Sequence, residues 1–422
     1  MMKKVLSSIL AVVMILGLLA ACGTPAPAST PAPGAPATGA PASNEPAPVS
    51  ADPIKIGAIT SLSGALQDYG EQFQKGFLIG LDYATNGTMQ VAGRDIQVIW
   101  EDTTNVPDIA KERALKLLDQ DKVDLLAGFA SSSDAGAVLA LCEEFERVVV
   151  LDPAAADSLT GEMWNPYVFR TGRNSAQDAA AQAAVMVHNV PDAKVAILAP
   201  DSTYGRSSAE PFIAALEEKG GSIIAQEFPP MDCTDFTPYI LRIREAKPDY
   251  VYVVWAGANH PWTALGEMDL AKDGIKISTH LAEFAALRIM GPMVGMSGFT
   301  VYHNTLPDNP VNDYLVSEHL ARYNSLPDLF TQGGTSCAIA IVTALEKTNG
   351  DTTAALLIET MEGMEFDSPT GMRYFRTEDH QALQSLFEVT LGDFGADTDY
   401  PVPELVRVIP IEEVMPPIKN GR

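Results

Sequence analysis

The stretch of residues 123–145 reads VDLLAGFASSSDAGAVLALCEEF, and it contains the repeating unit on which the fold depends. Residues 123–128 form a short apolar run ending in glycine, which predicts a buried strand. A turn of small residues follows, and apolar residues at helical spacing predict a helix over 135–145. A strand, a small-residue turn and a helix in this order are typical of a parallel sheet covered by helices.

The same alternation extends on both sides of this unit. The first series consists of predicted strands at 54–60, 95–101, 123–128 and 148–151, with predicted helices at 69–86, 106–120 and 135–145. A second series follows with the helix 176–189, strand 194–199, helix 210–219, strand 222–228, helix 237–246, strand 249–254 and a helix through Leu270. Two successive series predict two lobes of similar build. A later helix at 334–347 and a strand at 386–391 could complete either lobe.

Residues 1–21 have the layout of a secretory signal. Lys3 and Lys4 precede a mostly apolar run that is too short for a comfortable membrane span. The run ends in LAACG at residues 19–23, which resembles the bacterial lipobox. That resemblance implies cleavage before Cys22 and a diacylglyceryl group on its thiol, with a plain signal peptide and a chance cysteine as the alternative. Acyl chains on Cys22 would anchor the protein to the cell membrane, outside the cytoplasm.

Residues 22–51 are mainly proline and alanine and contain too few large apolar side chains to bury a core, so a linker is predicted. The remaining residues are enough for two domains of ordinary size. No later segment is apolar for long enough to span a bilayer, which argues against a channel or permease. The formal net charge of -26 argues against nucleic-acid binding, because such binding requires neutralisation of phosphates by lysine and arginine.

The reactive side chains predict neither a metal site, nor a cofactor, nor an enzyme. Cys142, Cys233 and Cys337 lack the paired spacing of zinc ligands, and whether Cys142 and Cys337 meet stays open. The sequence contains no G-x-S-x-G nucleophile turn, phosphate loop or H-E-x-x-H pair. A secreted enzyme stays an alternative, because scattered catalytic residues can converge in space.

Several segments in order resemble the leucine/isoleucine/valine-binding protein family, the branched-chain amino-acid group of the type I periplasmic binding proteins. The segments are IKIG at 54–57, LSG at 62–64, DYG at 68–70, GFASSS at 128–133, PAAA at 153–156, DSTYG at 201–205, DF at 235–236 and DYVY at 249–252. The resemblance runs from about residue 54 to about residue 390. Each segment alone is a weak signal, and their order and spacing together carry the resemblance.

The resemblance implies an α/β clamshell of two lobes, each a parallel sheet flanked by helices. Three hinge crossings are then expected near Thr171, Tyr302 and Arg376. Lobe 1 would comprise residues 52–171 with 302–376, and lobe 2 would comprise residues 172–301 with 377–422. The ligand would lie in the cleft at the carboxyl ends of the strands, where open α/β sheets usually bind ligands. Residues 379–381 (DHQ) are interpreted as hinge structure rather than catalysis.

The serine loop is the predicted anion site. Amide groups at a helix start are unpaired and carry the positive end of the helix dipole, so they favour a carboxylate. By resemblance, Ser132 would add its hydroxyl and amide, with Ser131 beside it. The alternative is that residues 131–133 only cap the following helix.

The other ligand residues are implied by position in the family. The resemblance assigns to the cleft Tyr69, Tyr204, Trp255, Glu283, Ala154 and Ala156. Ala154 would offer a carbonyl to a ligand ammonium, while Ala156 stands where the family has a threonine. Glu283 falls near the family's ammonium-binding glutamate, across an insertion in the alignment. Core or surface packing of the aromatic residues, and a solvated Glu283, are the alternatives.

The implied function is that of an extracytoplasmic substrate-binding lipoprotein of an ABC importer, with the permease as its partner. The ligand implied first is a branched-chain or other neutral amino acid. The absence of a hydroxyl at Ala156 leaves room for an aromatic or aliphatic organic acid. A sensory binding protein of the same fold is a further alternative, which a neighbouring permease gene would argue against.

Overall fold

The computed structural model describes residues 52–255, 259–396 and 398–421, without the side chains of Thr203, Tyr204, Ser207 and Pro292. The predicted signal, Cys22 and the whole predicted linker lie outside the described residues. The strands are, in chain order, β1 Ile54–Thr60, β2 Gln90–Val91, β3 Arg94–Asp102, β4 Leu125–Gly128, β5 Val149–Leu151, β6 Val168–Arg170, β7 Lys194–Leu198, β8 Ser222–Glu227, β9 Tyr250–Val253, β10 Lys276–His280, β11 Ser297–Thr300, β12 Glu365–Phe366, β13 Arg373–Phe375, β14 Ala382–Leu383, β15 Leu386–Phe394 and β16 Pro401–Ile409. The helices are α1 Gln67–Ala84, α2 Pro107–Leu115, α3 Ser132–Glu144, α4 Ser175–Asn189, α5 Thr203–Glu218, α6 Thr237–Ala246, α7 Trp262–Met268, α8 Phe284–Ile289, α9 Pro310–Tyr323, α10 Leu329–Lys347, α11 Ala354–Met361 and α12 Ile411–Val414.

Two sheets of mainly parallel strands carry the fold. The first sheet has the order β2-β3-β1-β4-β5-β6, with every neighbouring pair parallel except β2 with β3. The second sheet has the order β16-β15-β11-β10-β9-β7-β8, in which β7 to β11 are parallel and β15 and β16 are antiparallel. A small antiparallel sheet, β12-β13-β14, is separate in its strand pairing, and its Phe366, Phe375 and Ala382 pack in the core of the first sheet. The predicted α/β class with two helix-flanked parallel sheets is confirmed.

Both faces of the first sheet are buried, which explains why its strands are continuous apolar runs. Leu125 and Ala127 of β4 pack with α1 and α10 on one face. Leu126 of the same strand packs with α2 and α3 on the other face. Successive side chains of a strand point to opposite faces, so a strand covered on both sides needs apolar residues throughout.

Helices α1 and α10 pack closely on the first sheet although they are far apart in sequence. A side chain at Gly76 of α1 would place its Cβ 1.8 Å from the Thr331 carbonyl oxygen, so only glycine fits there. The hydroxyl of Thr335 donates to the Gly76 carbonyl at 3.0 Å. Gly334 meets the backbone of Phe73 in the same way, at 2.2 Å. The two backbones therefore touch, and α10 completes the cover that α1 begins.

One apolar cluster joins elements of the first and second sheets. Ile79 of α1 and Phe330 of α10 belong to it, together with Ala181 of α4 and Phe299 of β11. All four residues are buried. Helices that cover the first sheet thus share a core with the second sheet, and Tyr302 at one of the predicted crossings belongs to this core.

Most predicted elements match the structure, and the largest boundary error has a clear cause. The helix predicted over 237–246 is α6, whereas the helix predicted from residue 210 begins at Thr203 as α5. Ser202 caps α5, because its Oγ accepts the Gly205 amide at 3.1 Å. Pro211 therefore lies inside the helix, not at its start. The elements that were not predicted are β2, β6, β10, β11, β12, β13, β14 and β16 and the helices α8, α9, α11 and α12.

The described cysteines and helices settle two further points. Cys142 and Cys337 are buried and unpaired, and Cys233 is half-buried and also free. Between residues 52 and 421, the described helices include none that is both long and apolar enough to cross a membrane.

Candidate ligand-binding site

The serine loop, residues 129–133, leaves β4 at the carboxyl end of the first sheet and continues into the first turn of α3. Ser131 is the N-cap residue of α3, because its Oγ accepts the Asp134 amide at 3.4 Å. The same Oγ lies 2.8 Å from Ser133 Oγ. The capping interpretation therefore holds for Ser131, which is buried. The amides of the first helical turn have no partner within the helix, so the positive end of α3 lies at this end of the sheet.

Ser132 is the first residue of α3 and has a different partner. Its Oγ accepts a hydrogen bond from the Ala156 amide at 3.1 Å, which joins the serine loop to the loop after β5. The residue is half-buried. A hydroxyl that accepts one bond still has its own hydrogen and a second lone pair to offer. The structure thus places Ser132 and Ala156, two of the predicted ligand residues, side by side.

The loop after β5, residues 153–156, lies against a buried arginine. The guanidinium of Arg170 donates from Nη1 to the Ala156 carbonyl at 2.6 Å, and the same atom is 3.4 Å from the Ala154 carbonyl. Its other donors bind Gln381 Oε1 at 2.6 Å and Thr160 Oγ1 at 2.5 Å. The Ala154 carbonyl, which the sequence assigned to a ligand ammonium, therefore already faces a cation.

Tyr69 and Glu283 meet across the space between the two sheets. Tyr69, on α1, donates its hydroxyl to Glu283 Oε1 at 3.4 Å. Its ring packs on Phe330 with the centroids 4.0 Å apart. Glu283 directly precedes α8, in the connection that leaves β10 of the second sheet. Two predicted ligand residues that are 214 positions apart in sequence are thereby brought together.

Of the two aromatic ligand residues predicted on the side of the second sheet, the structure describes the side chain of Trp255 but not that of Tyr204. Trp255 follows the end of β9, and its Nε1 donates to the Asn259 carbonyl at 2.7 Å. Its ring packs edge-on against Phe236 at 5.2 Å. Trp262 is buried in the core of the second sheet. The side chain of Tyr204 lies outside the described residues, although its backbone belongs to α5.

Residues 379–381 contact the segment around the predicted first crossing. Gln381 Nε2 donates to the Gly172 carbonyl at 2.8 Å, while its Oε1 accepts from Arg170. Asp379 accepts two hydrogen bonds from the guanidinium of Arg376, at 2.9 and 2.6 Å. All of these groups are buried. Their bonds are internal to the protein, in keeping with the structural interpretation of this segment.

Three titratable residues near the site were missed by the sequence analysis, namely Arg173, His280 and Asp328. Arg173 follows the first crossing, and its Nε lies 3.4 Å from Asp178 Oδ1. Burial, with a smaller effect of the Arg173 charge, lowers the pKa of His280 to about 3, so this imidazole is neutral at physiological pH. An arginine immediately after an expected crossing is the one sequence signal that could have identified Arg173.

Asp328 links the start of α10 to the start of α8. Its carboxylate accepts the Leu329 amide at 2.8 Å and the Phe284 amide at 3.1 Å. Burial raises the pKa of Asp328 to about 7, against these two hydrogen bonds, which lower it. The negative charge of Glu283 raises it further. Asp328 therefore changes charge close to neutral pH, next to the residue that contacts Tyr69.

The amino-acid sequence is similar to those of known binding proteins. A family model described as periplasmic binding protein matches residues 53–396. A Leu/Ile/Val-binding protein homologue of Brucella melitensis is 26% identical over 358 residues, which cover 82% of this chain and 90% of that protein.

Two solved structures show how widely the fold is shared. A crystal structure of an ABC-type branched-chain amino acid transporter from Rhodopseudomonas palustris superposes with a TM-score of 0.82 at 40% identity, covering 87% of this chain and 100% of the other. A solute-binding protein of an ABC transporter from another strain of that species, solved with 3,4-dihydroxybenzoic acid, has a TM-score of 0.71 at 25% identity. That comparison covers 86% of this chain and 98% of the other.

Proposed function

The chain belongs to the periplasmic binding protein family, and we propose that it captures a small carboxylate-bearing solute between its two sheets for an ABC importer. The family consists of substrate-binding proteins of transporters, and action as a carrier rather than an enzyme is part of this proposal. The permease would be the partner that receives the solute outside the cytoplasm.

The observation that carries the proposal is the convergence of loops from the carboxyl ends of both sheets. The positive end of α3 and the half-buried hydroxyl of Ser132 come from the first sheet. Glu283 follows a strand of the second sheet and reaches Tyr69. Backbone donors at a helix start suit an anion, and open α/β sheets bind ligands at this end of their strands.

The first candidate ligand is a branched-chain or other neutral amino acid, since the curated relative is a Leu/Ile/Val-binding protein homologue. Glu283 would then receive the ammonium and the serine loop the carboxylate. The second candidate is an organic acid without an ammonium group. It is favoured by the methyl group of Ala156 in place of a hydroxyl, and by Arg170 on the carbonyls of the same loop.

Closure about the crossings near Thr171, Tyr302 and Arg376 is the proposed mechanism. A ligand that contacts groups from both sheets binds the closed form more tightly, and this difference in affinity shifts the population towards closure. Small-angle scattering of the full chain should give a smaller radius of gyration with ligand. An unchanged radius at saturation would contradict the mechanism.

Ser132 offers the direct test of the anion site. A hydrogen bond to a charged group contributes about 1.5–3 kcal/mol. Ser132→Ala should therefore weaken binding of the carboxylate ligand roughly ten- to hundredfold, with the backbone donors of α3 still in place. A panel of amino acids and organic acids is first screened by thermal shift, since a ligand that binds only the folded state raises the melting temperature.

Calorimetric titration then compares Ser132→Ala with Ser317→Ala, an exposed serine on α9 that serves as the control. Only the first change should alter the affinity. Unchanged affinity together with a lowered melting temperature in Ser132→Ala would mean that Ser132 has only a structural role. The ligand carboxylate would then not bind at the serine loop.

Anchoring through Cys22 is proposed from the sequence alone. Only its thiol would carry the diacylglyceryl group, so Cys22→Ser should release the protein from membranes. Metabolic labelling with a fatty-acid analogue tests this, and labelled Cys22→Ser protein would contradict it.

A further inference from the structure

Three of the four arginines around the crossings are bound by the protein at most of their donors, although Nε of Arg373 has no partner among the described residues. Arg170, Arg373 and Arg376 each make three hydrogen bonds of 2.9 Å or shorter to the protein. All three are buried. A buried guanidinium requires such partners, because removal of its charge from water is otherwise costly. These arginines are therefore explained by the structure of the crossings.

Arg173, the fourth arginine, lacks comparable partners. Its Nη1 is 3.5 Å from the Pro153 carbonyl, at the limit of a hydrogen bond. Its Nε lies 3.4 Å from Asp178 Oδ1, longer than the usual 2.7–2.9 Å of a charge-assisted bond, and Nε makes no hydrogen bond to the described residues. Only 14% of its side chain is exposed. A guanidinium offers five donors in a planar fork, so most of the binding capacity of Arg173 is unused.

The groups around Arg173 come from the loop after β5 on the side of the first sheet, and from α4 and β10 on the side of the second sheet. Gln182 of α4 donates to Ser278 of β10 at 2.6 Å. Asp178 lies one helical turn before Gln182, and His280 lies two residues after Ser278, so Asp178 and His280 occupy the next positions on the same facing surfaces. His280 is close enough for the charge of Arg173 to lower its pKa, and its buried Nε2 has no partner among the described residues.

The carbonyl oxygens that could accept a ligand ammonium at this loop already face guanidinium groups. The carbonyls of Ala156 and Ala154 face the guanidinium of Arg170, and the Pro153 carbonyl faces Arg173. A ligand ammonium at this loop would compete with two guanidinium groups for the same carbonyl oxygens, while the carboxylate of Asp178 lies 3.4 Å from Arg173. A carboxylate would instead satisfy the unused fork of Arg173 and remain within reach of the loop that Ser132 contacts from its other side.

We propose that Arg173 binds the ligand carboxylate directly, and that the substrate is an organic acid with no ammonium group beside that carboxylate. This inference rests on the proposed function and narrows its substrate class to the second candidate. Arg173 would then be a specificity-determining residue of the cleft, while Arg170 keeps a structural role.

The decisive experiment uses pairs of compounds that differ only in the ammonium group. Leucine is compared with 4-methylpentanoate, and phenylalanine with 3-phenylpropanoate, by calorimetric titration of the full chain. We expect at least one deaminated acid to bind at least tenfold more tightly than its amino-acid partner. This comparison requires no variant and is therefore independent of any folding defect.

Variants of Arg173 then identify the residue responsible. Arg173→Gln should weaken binding of the preferred acid roughly ten- to hundredfold, because the lost contact is a hydrogen-bonded ion pair. Arg173→Lys should recover part of the loss, since it keeps the charge but not the planar fork. Arg242→Gln is the matched control, because Arg242 is exposed and paired with Glu227 on the outside of the second sheet. Thermal melting confirms that each variant is folded.

The outcomes separate the inference from the proposed function. Tighter binding of the amino acids, or an affinity for the acids that Arg173→Gln leaves unchanged, would overturn the inference and leave the proposed function standing. Failure of the wild-type chain to bind any acid or amino acid would overturn the proposed function itself.

Discussion

Helices α3 and α8 begin at equivalent places, because each follows the carboxyl end of a strand of its own sheet. The two helices are nevertheless capped differently. The cap of α3 is Ser131, which accepts an amide three residues later. Glu283 occupies the cap position of α8 and makes no capping bond. The Phe284 amide instead donates to Asp328, 44 residues away at the start of α10. A local cap stabilises one helix, whereas a distant cap also ties two parts of the molecule together.

The largest expected effect is that of Asp328→Ala. This change removes the oxygen acceptors at the starts of α8 and α10, and loss of one N-cap costs about 1 kcal/mol. The free energy of unfolding should therefore fall by about 2 kcal/mol, as measured by urea denaturation. Asp328→Asn should retain most of the stability, because asparagine is also a good N-cap.

Glu359→Ala provides the control for removal of a carboxylate, since Glu359 is exposed on α11. Its free energy of unfolding should stay close to that of the wild type. A loss below about 0.5 kcal/mol in Asp328→Ala would mean that the distant cap contributes little, because surface substitutions commonly have effects of that size.

The second prediction follows from the fact that a carboxylate cap titrates and a serine cap does not. The pKa of Asp328 is about 7 in the folded protein, against about 3.9 for an unperturbed aspartate. Between these values the folded state binds more protons than the unfolded state, so this group lowers the free energy of unfolding as the pH rises. The slope is at most about 1.4 kcal/mol per pH unit, and the contribution is constant above the folded pKa.

Urea denaturation at several pH values between about 5 and about 8 should isolate this contribution. Asp328→Asn cannot titrate at this position, so its stability relative to the wild type should rise with pH. Parallel pH profiles for the two proteins would contradict the raised pKa.

The smallest predicted effect is that of Ser131→Ala, which removes only a local cap. We expect a loss of about 1 kcal/mol in the free energy of unfolding. Ser131→Asn should restore stability, because asparagine caps helices as well as serine does. A loss as large as that of Asp328→Ala would abolish the distinction between local and distant caps.

The fold was largely predictable because its main signals are local. The strand predicted over 54–60 is β1, since burial on both faces gives a continuous apolar run. The short strand β6 was missed because three residues show no periodicity. Strand β10, KISTH, was missed because Ser278 lies opposite the polar side chain of Gln182 on α4, so the strand is not apolar throughout.

The site was predictable only in part, because some of its contacts join residues that are far apart in the sequence. The serine loop is continuous in sequence, and its helix start could be inferred from residues 128–134. The contact of Tyr69 with Glu283 depended on the family resemblance, because the residues are 214 positions apart. What distinguishes Arg173 from Arg170 is the set of atoms around each side chain. That difference exists only in the folded protein.

The close packing of α1 on α10 has a consequence for the order in which the chain can mature. Polypeptides are made from the amino terminus, and the first sheet has its last strand by Arg170. Phe73 and Phe77 of α1 are nevertheless fully covered only after α10 has been made, and α10 ends at Lys347. Early-made apolar surface that stays uncovered favours aggregation, and contacts between distant segments form slowly. The half of the molecule that is synthesised first is therefore completed only after most of the second half exists, so the newborn chain needs protection until then.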